Sequence, residues 1–200
     1  MAKPEFRKGG TRGAHSSSLP GRFAGQGAVS GSPFSQAQIL HLMKTEFGRA
    51  RRYGFPVACI LIQVDRLTSM VDVHGRQLRD VVRRELSKLI TGKTRGADHL
   101  GLVSDDRYLL VLPHATEQDA TSVGERIWET FGMLEVESGG NVLSLSLSMG
   151  IASTDNQKTM FFDTILSQAE TALSWAIDGD GGQVVVYCEE QRRGDGPLQK

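Results

Sequence analysis

Residues 143–149 alternate strictly between apolar side chains and serine, in the order Leu-Ser-Leu-Ser-Leu-Ser-Met. A two-residue period is typical of a β-strand, because successive side chains of a strand point to opposite faces of a sheet. The pattern predicts one strand that continues to Ala152, with one buried face and one polar face. The buried face requires a second layer of structure to cover it.

Apolar spacing elsewhere predicts both strands and helices in the same unit. Residues 57–62 form a continuous apolar run, as in a central strand covered on both faces. Short apolar runs at 101–103 and 108–112 flank a polar turn and predict a hairpin. Three- and four-residue spacing predicts helices over 36–52, 72–90, 116–131 and 162–177, and a closing strand covers 184–187. This order predicts an α/β domain, with a sheet under helical cover.

The two ends of the chain differ in composition from this central part. Residues 1–32 are rich in Gly, Ser and basic residues and lack the apolar segment of a secretory signal. We expect a disordered basic arm over 1–32, one domain over 33–190 and a flexible tail over 191–200. The formal net charge of the 200 residues is zero, so the charge predicts no specific nucleic-acid partner.

Other residue types predict structural roles. No apolar run is long enough to span a membrane. The two cysteines lie in apolar, strand-like stretches, which predicts free thiols in a reducing cytoplasm. The histidines lack metal-ligand spacing, and the tryptophans on predicted helices are expected to pack. These residues are Cys59, Cys188, His41, His74, His99, His114, Trp128 and Trp175.

The predicted hairpin carries the motifs with the most functional content. Arg95-Gly-Ala-Asp98 is separated by five residues from a Ser104-Asp-Asp-Arg107 turn. This arrangement resembles the GGDEF family of diguanylate cyclases, with an altered catalytic turn and a retained inhibitory product-binding site. Framework segments at 49–52, 148–152 and 169–173 resemble the family in the same order. The resemblance covers 36–187 and implies the nucleotide-cyclase palm-like fold, an α+β sandwich whose mixed, mainly antiparallel sheet has about five strands.

The resemblance implies that the catalytic chemistry is lost. Active members hold metal ions on an acidic residue after the first strand and another in the turn. Here Gln63, an amide, stands at the first position, and in the turn Asp106 keeps the third, acidic position while Arg107, a cation, replaces the carboxylate of the fourth. Val71 stands in place of an asparagine that reads guanine, and Ile177 in place of a lysine that holds phosphate. The vestigial active site predicted in this way comprises Gln63, Asp65, Val71, Asp80, Ser104, Asp105, Asp106, Arg107 and Tyr108.

The inhibitory site, by contrast, keeps its residue types. Arg95 and Asp98 stand at the family's spacing from the turn, and Arg126 matches a further arginine on the following helix. An arginine can donate two bonds to guanine O6 and N7, and an aspartate can accept from the exocyclic amine. The resemblance therefore implies that Arg95, Asp98 and Arg126 bind cyclic di-GMP.

The sequence favours a catalytically inactive receptor for cyclic di-GMP. It would need no resident cofactor, would act through an unidentified protein partner, and could form a homodimer when ligand binds. One alternative is residual diguanylate cyclase activity with Mg²⁺, for which Asp65, Asp80 and Asp106 are the encouragement. The other is a scaffold that binds no nucleotide, in which Arg95 and Asp98 form only a surface ion pair.

Overall fold

The computed structural model describes residues 32–138, 140–154 and 161–189, and these residues form helices and strands in alternation. In chain order the elements are α1 (Gln36–Tyr53), β1 (Val57–Val64), α2 (Leu67–His74), α3 (Gln77–Lys93), β2 (His99–Leu102), β3 (Arg107–Pro113), α4 (Glu117–Gly132), β4 (Glu135–Ser138), β5 (Asn141–Ser144), β6 (Leu147–Ser153), α5 (Phe162–Asp178) and β7 (Val184–Val186). The predicted hairpin and the helices that begin near residues 36, 116 and 162 are confirmed.

The main sheet has five strands in the order β2-β3-β1-β6-β7. The pairs β2–β3, β3–β1 and β1–β6 are antiparallel, and β6–β7 is parallel. A separate two-stranded sheet pairs β4 with β5. The predicted fold class, a mixed and mainly antiparallel sheet of about five strands covered by helices, is confirmed.

Two apolar cores lie on opposite faces of the main sheet, and the central strand β1 contributes to both. Ile60 and Ile62 join the core formed with α3 and α4. Cys59 and Leu61 join the core formed with α1 and α5. Full burial raises the pKa of the Cys59 thiol to about 12, so this cysteine is a core residue. The continuous apolar run of β1 follows from this position, since both faces of the strand are covered.

The prediction of one helix over 72–90 is wrong at its start. The structure has two helices there, because α2 ends at His74 and α3 begins at Gln77. Gly75 lies between them with φ of 90° and ψ of 161°, a backbone conformation that glycine adopts far more readily than other residues. The Gly75 N–H donates to the Val71 carbonyl and closes α2.

The prediction of one alternating strand over 143–152 is also only partly right. The segment is divided between β5, in the small sheet, and β6, in the main sheet. The alternation holds through exposed Ser144 and Ser146, but Ser148 is fully buried. β6 pairs on both sides and is covered on both faces, so its serine must find an acceptor inside the protein.

The predicted arm and tail cannot be compared with the structure. Of the arm over 1–32 only Ser32 is described, and the tail over 191–200 lies outside the described residues. In the part of the chain that is described, no helix is both long and apolar enough to cross a membrane.

Candidate functional site

The Arg-x-x-Asp motif forms a tight turn between α3 and β2, and we call residues 94–98 the RxxD loop. The Asp98 N–H donates to the Arg95 carbonyl at 3.0 Å. In the other direction, the Arg95 N–H donates to Asp98 Oδ2 at 2.6 Å. Asp98 thus uses its side chain to fix the loop that carries Arg95. Arg95 itself is exposed, and its guanidinium makes no hydrogen bond or ion pair with another described residue.

The Asp98 carboxyl is partly buried at the base of this loop. Burial raises its pKa above the ordinary value, because a partly desolvated carboxyl resists ionisation. The bond from the Arg95 N–H, and then the charges of Arg95 and His99, oppose this rise. On acidification, Asp98 therefore takes up its proton at a higher pH than an exposed aspartate does.

The structure brings Arg126 to the same edge of the domain. Arg126 lies on α4, and its Nη2 donates to the Lys93 carbonyl at the end of α3, at 2.8 Å. Asp119, two turns earlier on α4, has a lowered pKa because it accepts from the Thr116 N–H and hydroxyl, with a smaller effect from the Arg95 charge. Residues seven apart share a helix face. The RxxD loop and one face of α4 therefore form a single surface that carries all three predicted residues, and we call it the basic surface after its arginines, Arg95 and Arg126.

The vestigial site lies at the other end of α3, around the turn over 104–107. Gln63 and Arg107 are directly opposite each other in the β1–β3 register. The Arg107 Nε–H donates to Gln63 Oε1 at 2.7 Å. Within the turn, the Ser104 hydroxyl donates to Asp106 Oδ1 at 2.9 Å, and the Val64 N–H donates to the Asp106 carbonyl. The polar groups of this turn and of the facing strand end are thus bonded to one another.

Asp65 holds three strand ends together. Its Oδ2 accepts from the Ser146 hydroxyl at 2.7 Å and from the Gly182 N–H at 3.0 Å. Its Oδ1 accepts from the buried Ser148 hydroxyl at 2.7 Å. Gly182 has φ of 63°, a left-handed conformation that suits glycine, and it lies in the loop before β7. Sequence reasoning missed both serines as partners, although their two-residue spacing could have indicated a shared acceptor.

The remaining predicted positions lie in two open clefts. Val71 and Asp80 line one of about 620 Å³ together with Asp72, Arg76 and Arg79. Ile177 lines the other, of about 650 Å³, with Gln63 and Asp65. Val71 is almost fully buried in the core, whereas Asp80 is exposed on α3.

Sequence reasoning also missed two arginines that bind the turn. Arg79 Nη1 lies 2.7 Å from Asp105 Oδ2, and Arg83 Nη2 lies 3.8 Å from Asp105 Oδ1. The signal was the four-residue spacing of Arg79 and Arg83 on α3, but Asp105 follows Arg79 by 26 positions. Next to the turn, Tyr108 is fully buried, and burial raises the pKa of its phenol to about 12.

His114 and the two tryptophans contact other residues of the domain. His114 stacks on Phe55 with 3.7 Å between ring centroids, and Trp175 stacks on Tyr187. Trp128 Nε1 donates to the Gly182 carbonyl at 2.9 Å. Among the residues that the structure describes, no group of three or more His, Cys, Asp and Glu side chains is placed to hold a metal ion.

Comparison with curated proteins finds a diguanylate cyclase and a response regulator among the relatives of this chain. Diguanylate cyclase DosC of Escherichia coli strain K12 is 26% identical over 133 residues, which is 66% of this chain and 28% of that protein. Response regulator PleD of Caulobacter vibrioides strain NA1000 / CB15N is 26% identical over 108 residues, 53% of this chain and 24% of that protein. The chain thus matches less than a third of the length of either relative.

Solved structures share the fold. The active GGEEF domain of a diguanylate cyclase from Vibrio cholerae superposes with a TM-score of 0.72 at 21% identity, covering 78% of this chain and 97% of that one. The GGDEF domain of DgcB from Caulobacter crescentus, solved in complex with c-di-GMP, gives 0.72 at 13% identity, covering 76% and 90%. The family described as "Diguanylate cyclase, GGDEF domain" matches residues 34–179. Since this match extends from just before α1 to just after α5, the chain belongs to the GGDEF domain family.

Proposed function

We propose that this GGDEF domain is a receptor for cyclic di-GMP that does not synthesise it. The observation that carries the proposal is a difference between the two ends of α3. At the C-terminal end, Arg95, Asp98 and Arg126 lie on one surface, and the exposed Arg95 guanidinium makes no hydrogen bond or ion pair with a described residue. At the N-terminal end, the polar groups of the vestigial site bond to one another.

The basic surface suits a guanine dinucleotide. The Arg95 guanidinium can donate two parallel bonds to O6 and N7 of a guanine, and Asp98 can accept from the exocyclic amine of the base. Arg126, which reaches the end of α3 across the surface, can neutralise a phosphate of the same ligand. The complex of DgcB with c-di-GMP supports this class of ligand for a domain of the same fold.

The vestigial site does not fit the divalent cation that the family's chemistry uses. Mg²⁺ prefers anionic oxygen ligands in octahedral geometry. At the two metal positions this chain has the Gln63 amide, whose oxygen accepts from Arg107, and the Arg107 guanidinium itself. Both carboxylate oxygens of Asp65 already accept hydrogen bonds within the protein. A cation would meet the fixed positive charge of Arg107 beside the Asp106 carboxylate, whose Oδ1 already accepts from the Ser104 hydroxyl.

The residues at the positions that contact the nucleotide in active family members are also unsuited to catalysis. The Asp105 carboxylate, held by Arg79 and Arg83, occupies the turn where a glycine would let a triphosphate approach. Val71 is buried and apolar and cannot read a base edge. Losing even one charged group that stabilises the transition state costs about 3 kcal/mol of barrier, and several are replaced here. The domain therefore acts by binding cyclic di-GMP, and a protein partner or a second copy of the chain recognises the ligand-bound domain.

The test is a calorimetric titration of cyclic di-GMP into the wild-type protein and into Arg95→Ala, Asp98→Ala and Arg84→Ala. Arg84 is an exposed α3 arginine whose side chain contacts its neighbour Glu85, so it controls for loss of surface charge. We expect low-micromolar or tighter binding by the wild type and Arg84→Ala, and none by the other two. Equal binding by all four proteins would remove the RxxD loop from the proposal.

Catalysis is tested separately by incubating the folded protein with GTP and Mg²⁺ and measuring cyclic di-GMP. We expect no product. Product formation would establish a cyclase and overturn the inactive assignment. If cyclic di-GMP neither releases heat nor raises the melting temperature at saturation, the scaffold alternative is favoured, because a ligand that binds only the folded state must stabilise it.

A further inference from the structure

An excess of positive charge lies beneath the turn over 104–107. Arg79 and Arg83 are four positions apart and so share a face of α3. Both contact the single carboxylate of Asp105, at 2.7 and 3.8 Å. The side chain of Asp105 is 65% exposed, whereas those of Arg79 and Arg83 are 29% and 35% exposed. Two partly buried cations therefore share one solvent-exposed anion.

Three buried hydrogen-bond donors of this cluster have no acceptor. Arg79 Nε, Arg83 Nε and the Tyr108 hydroxyl are inaccessible to solvent, and these donors find no acceptor among the described residues. Tyr108 is fully buried, and its phenol lies beside Arg83, whose charge and side-chain hydrogen bond to the phenol oxygen lower its pKa against the larger effect of burial. A buried polar group without a partner costs about 1–3 kcal/mol, so such groups are rare unless something binds them.

The chemistry of the three donors specifies the kind of partner. Arginine has only donors, and a tyrosine hydroxyl beside a guanidinium also donates most readily to an anion. The missing group must therefore be a compact acceptor with several oxygens and a negative charge. Arginine pairs recognise phosphate in this way, through parallel charge-assisted hydrogen bonds.

We propose that Arg79, Arg83 and Tyr108 form a binding site for a single phosphoryl group, and that Asp105 is its built-in competitor. The Asp105 carboxylate binds the outer guanidinium nitrogens, and a phosphate displaces it to reach the Nε atoms and the hydroxyl as well. Entry is through the cleft of about 620 Å³ that Arg76 and Arg79 line. Asp72 and Asp80 line the same cleft and repel a second anionic group, which favours a monophosphate over a di- or triphosphate.

This site is separate from the RxxD loop and needs no metal. Arg79 and Lys93 are 14 positions apart on α3, which is about 21 Å along the helix at 1.5 Å per residue. The two basic surfaces therefore lie at opposite ends of one rigid element. Occupancy of the phosphoryl site can be measured whether or not cyclic di-GMP binds the loop, so the two proposals fail independently.

The test measures binding of inorganic phosphate, GMP and guanosine in a buffer with EDTA, by ³¹P NMR for the first two and by calorimetry for all three. We expect Asp105→Asn to bind phosphate and GMP at least tenfold more tightly than the wild type, because the competing charge is removed. Adding Arg79→Gln and Arg83→Gln to that variant should abolish binding. Tyr108→Phe in the Asp105→Asn background should weaken binding severalfold.

Arg84→Gln is the matched control, because this arginine is on the same helix but faces solvent. It should leave phosphate binding unchanged. Thermal unfolding of each variant shows that it is folded before titration. Failure of Asp105→Asn to bind more tightly than the wild type would overturn the proposal. Retention of binding when both arginines are replaced, or equal affinity for guanosine and GMP, would overturn it as well.

Discussion

The RxxD loop and the vestigial site both contain aspartates and arginines, but they use them in opposite ways. In the loop, Asp98 bonds to the backbone of Arg95, three positions earlier, and the Arg95 side chain extends into solvent. In the vestigial site, Gln63 pairs with Arg107 and Arg79 with Asp105, across 44 and 26 positions. Local bonds shape a loop while leaving its side chains available, whereas long-range bonds tie separate elements together.

This contrast separates binding from stability. A side chain bonded across the fold contributes to the folded state, and its loss is measured as a change in the free energy of unfolding. A side chain exposed on a locally fixed loop contributes little to folding but can contact a ligand. Residues of the same type at the two ends of α3 should therefore affect different measurements.

The largest expected effect is at Asp65. Replacing it by alanine removes the acceptor of the Ser146 and Ser148 hydroxyls and of the Gly182 N–H. Because Ser148 is fully buried, its hydroxyl would be left without an acceptor, although it would still accept from the Gly182 N–H at 3.1 Å. We expect Asp65→Ala to lower the free energy of unfolding by about 3 kcal/mol in urea titrations. Affinity for cyclic di-GMP, measured where the variant is folded, should not change.

Asp72→Ala is the control for that measurement. Asp72 is an exposed acid on α2, close to Asp65 in sequence, and its substitution should change the free energy of unfolding by less than about 0.5 kcal/mol. If Asp65→Ala were as stable as Asp72→Ala, the bonds to Asp65 would not hold the strand ends. Loss of cyclic di-GMP binding in folded Asp65→Ala would show that the two regions are coupled.

A smaller effect is expected at Arg126, with the opposite division between the measurements. Arg126→Ala should weaken cyclic di-GMP binding at least tenfold, since a hydrogen bond to a charged group contributes about 1.5–3 kcal/mol. Its free energy of unfolding should fall by only about 1 kcal/mol or less, because the exposed side chain makes one hydrogen bond across the fold, to the Lys93 carbonyl. Arg126→Lys keeps the charge and should lose less affinity. If calorimetry showed the same cyclic di-GMP affinity for Arg126→Ala and the wild type, this residue would be excluded from the binding site.

The fold could be predicted further from sequence than the site could. Periodicity located α1, α4 and α5 and the central strand β1, because each buries a regular apolar face. It failed at Gly75, where a single backbone conformation divides α2 from α3. It also failed at residues 145–146, where the chain passes from the small sheet to the main one without interrupting the alternation.

At the site, sequence supplied residue types at a spacing, and the structure supplied their partners. Arg95, Asp98 and Arg126 were predicted together, and the approach of α4 to the end of α3 explains how they share one surface. Arg79 and Arg83 were missed because nothing local distinguishes an arginine that binds Asp105 from one that faces solvent, such as Arg84. Contacts between residues far apart in sequence, such as those of Arg79 and Arg83 with Asp105, depend on the strand register, which apolar periodicity does not reveal.

The smallest expected effect is on pH dependence. Because the pKa of Asp98 is raised, ligand affinity and folding stability should change in opposite directions as the pH falls. The folded protein holds this proton more tightly than the unfolded chain, because burial disfavours the carboxylate. Ionisation of Asp98 therefore subtracts stability as the pH rises through the raised pKa, and protonation restores it as the pH falls. A guanine amine, however, needs the ionised carboxylate as its acceptor.

Lowering the pH toward the raised pKa of Asp98 should then weaken cyclic di-GMP binding, although the contribution of Asp98 to folding improves. Asp98→Asn keeps an oxygen that can accept from the Arg95 N–H but cannot ionise, so the weak binding that remains in this variant should not weaken further in acid. The test is calorimetry of the wild type and Asp98→Asn at several pH values. If the affinity of both proteins fell equally in acid, the titrating group would be another residue, and Asp98 would only shape the loop.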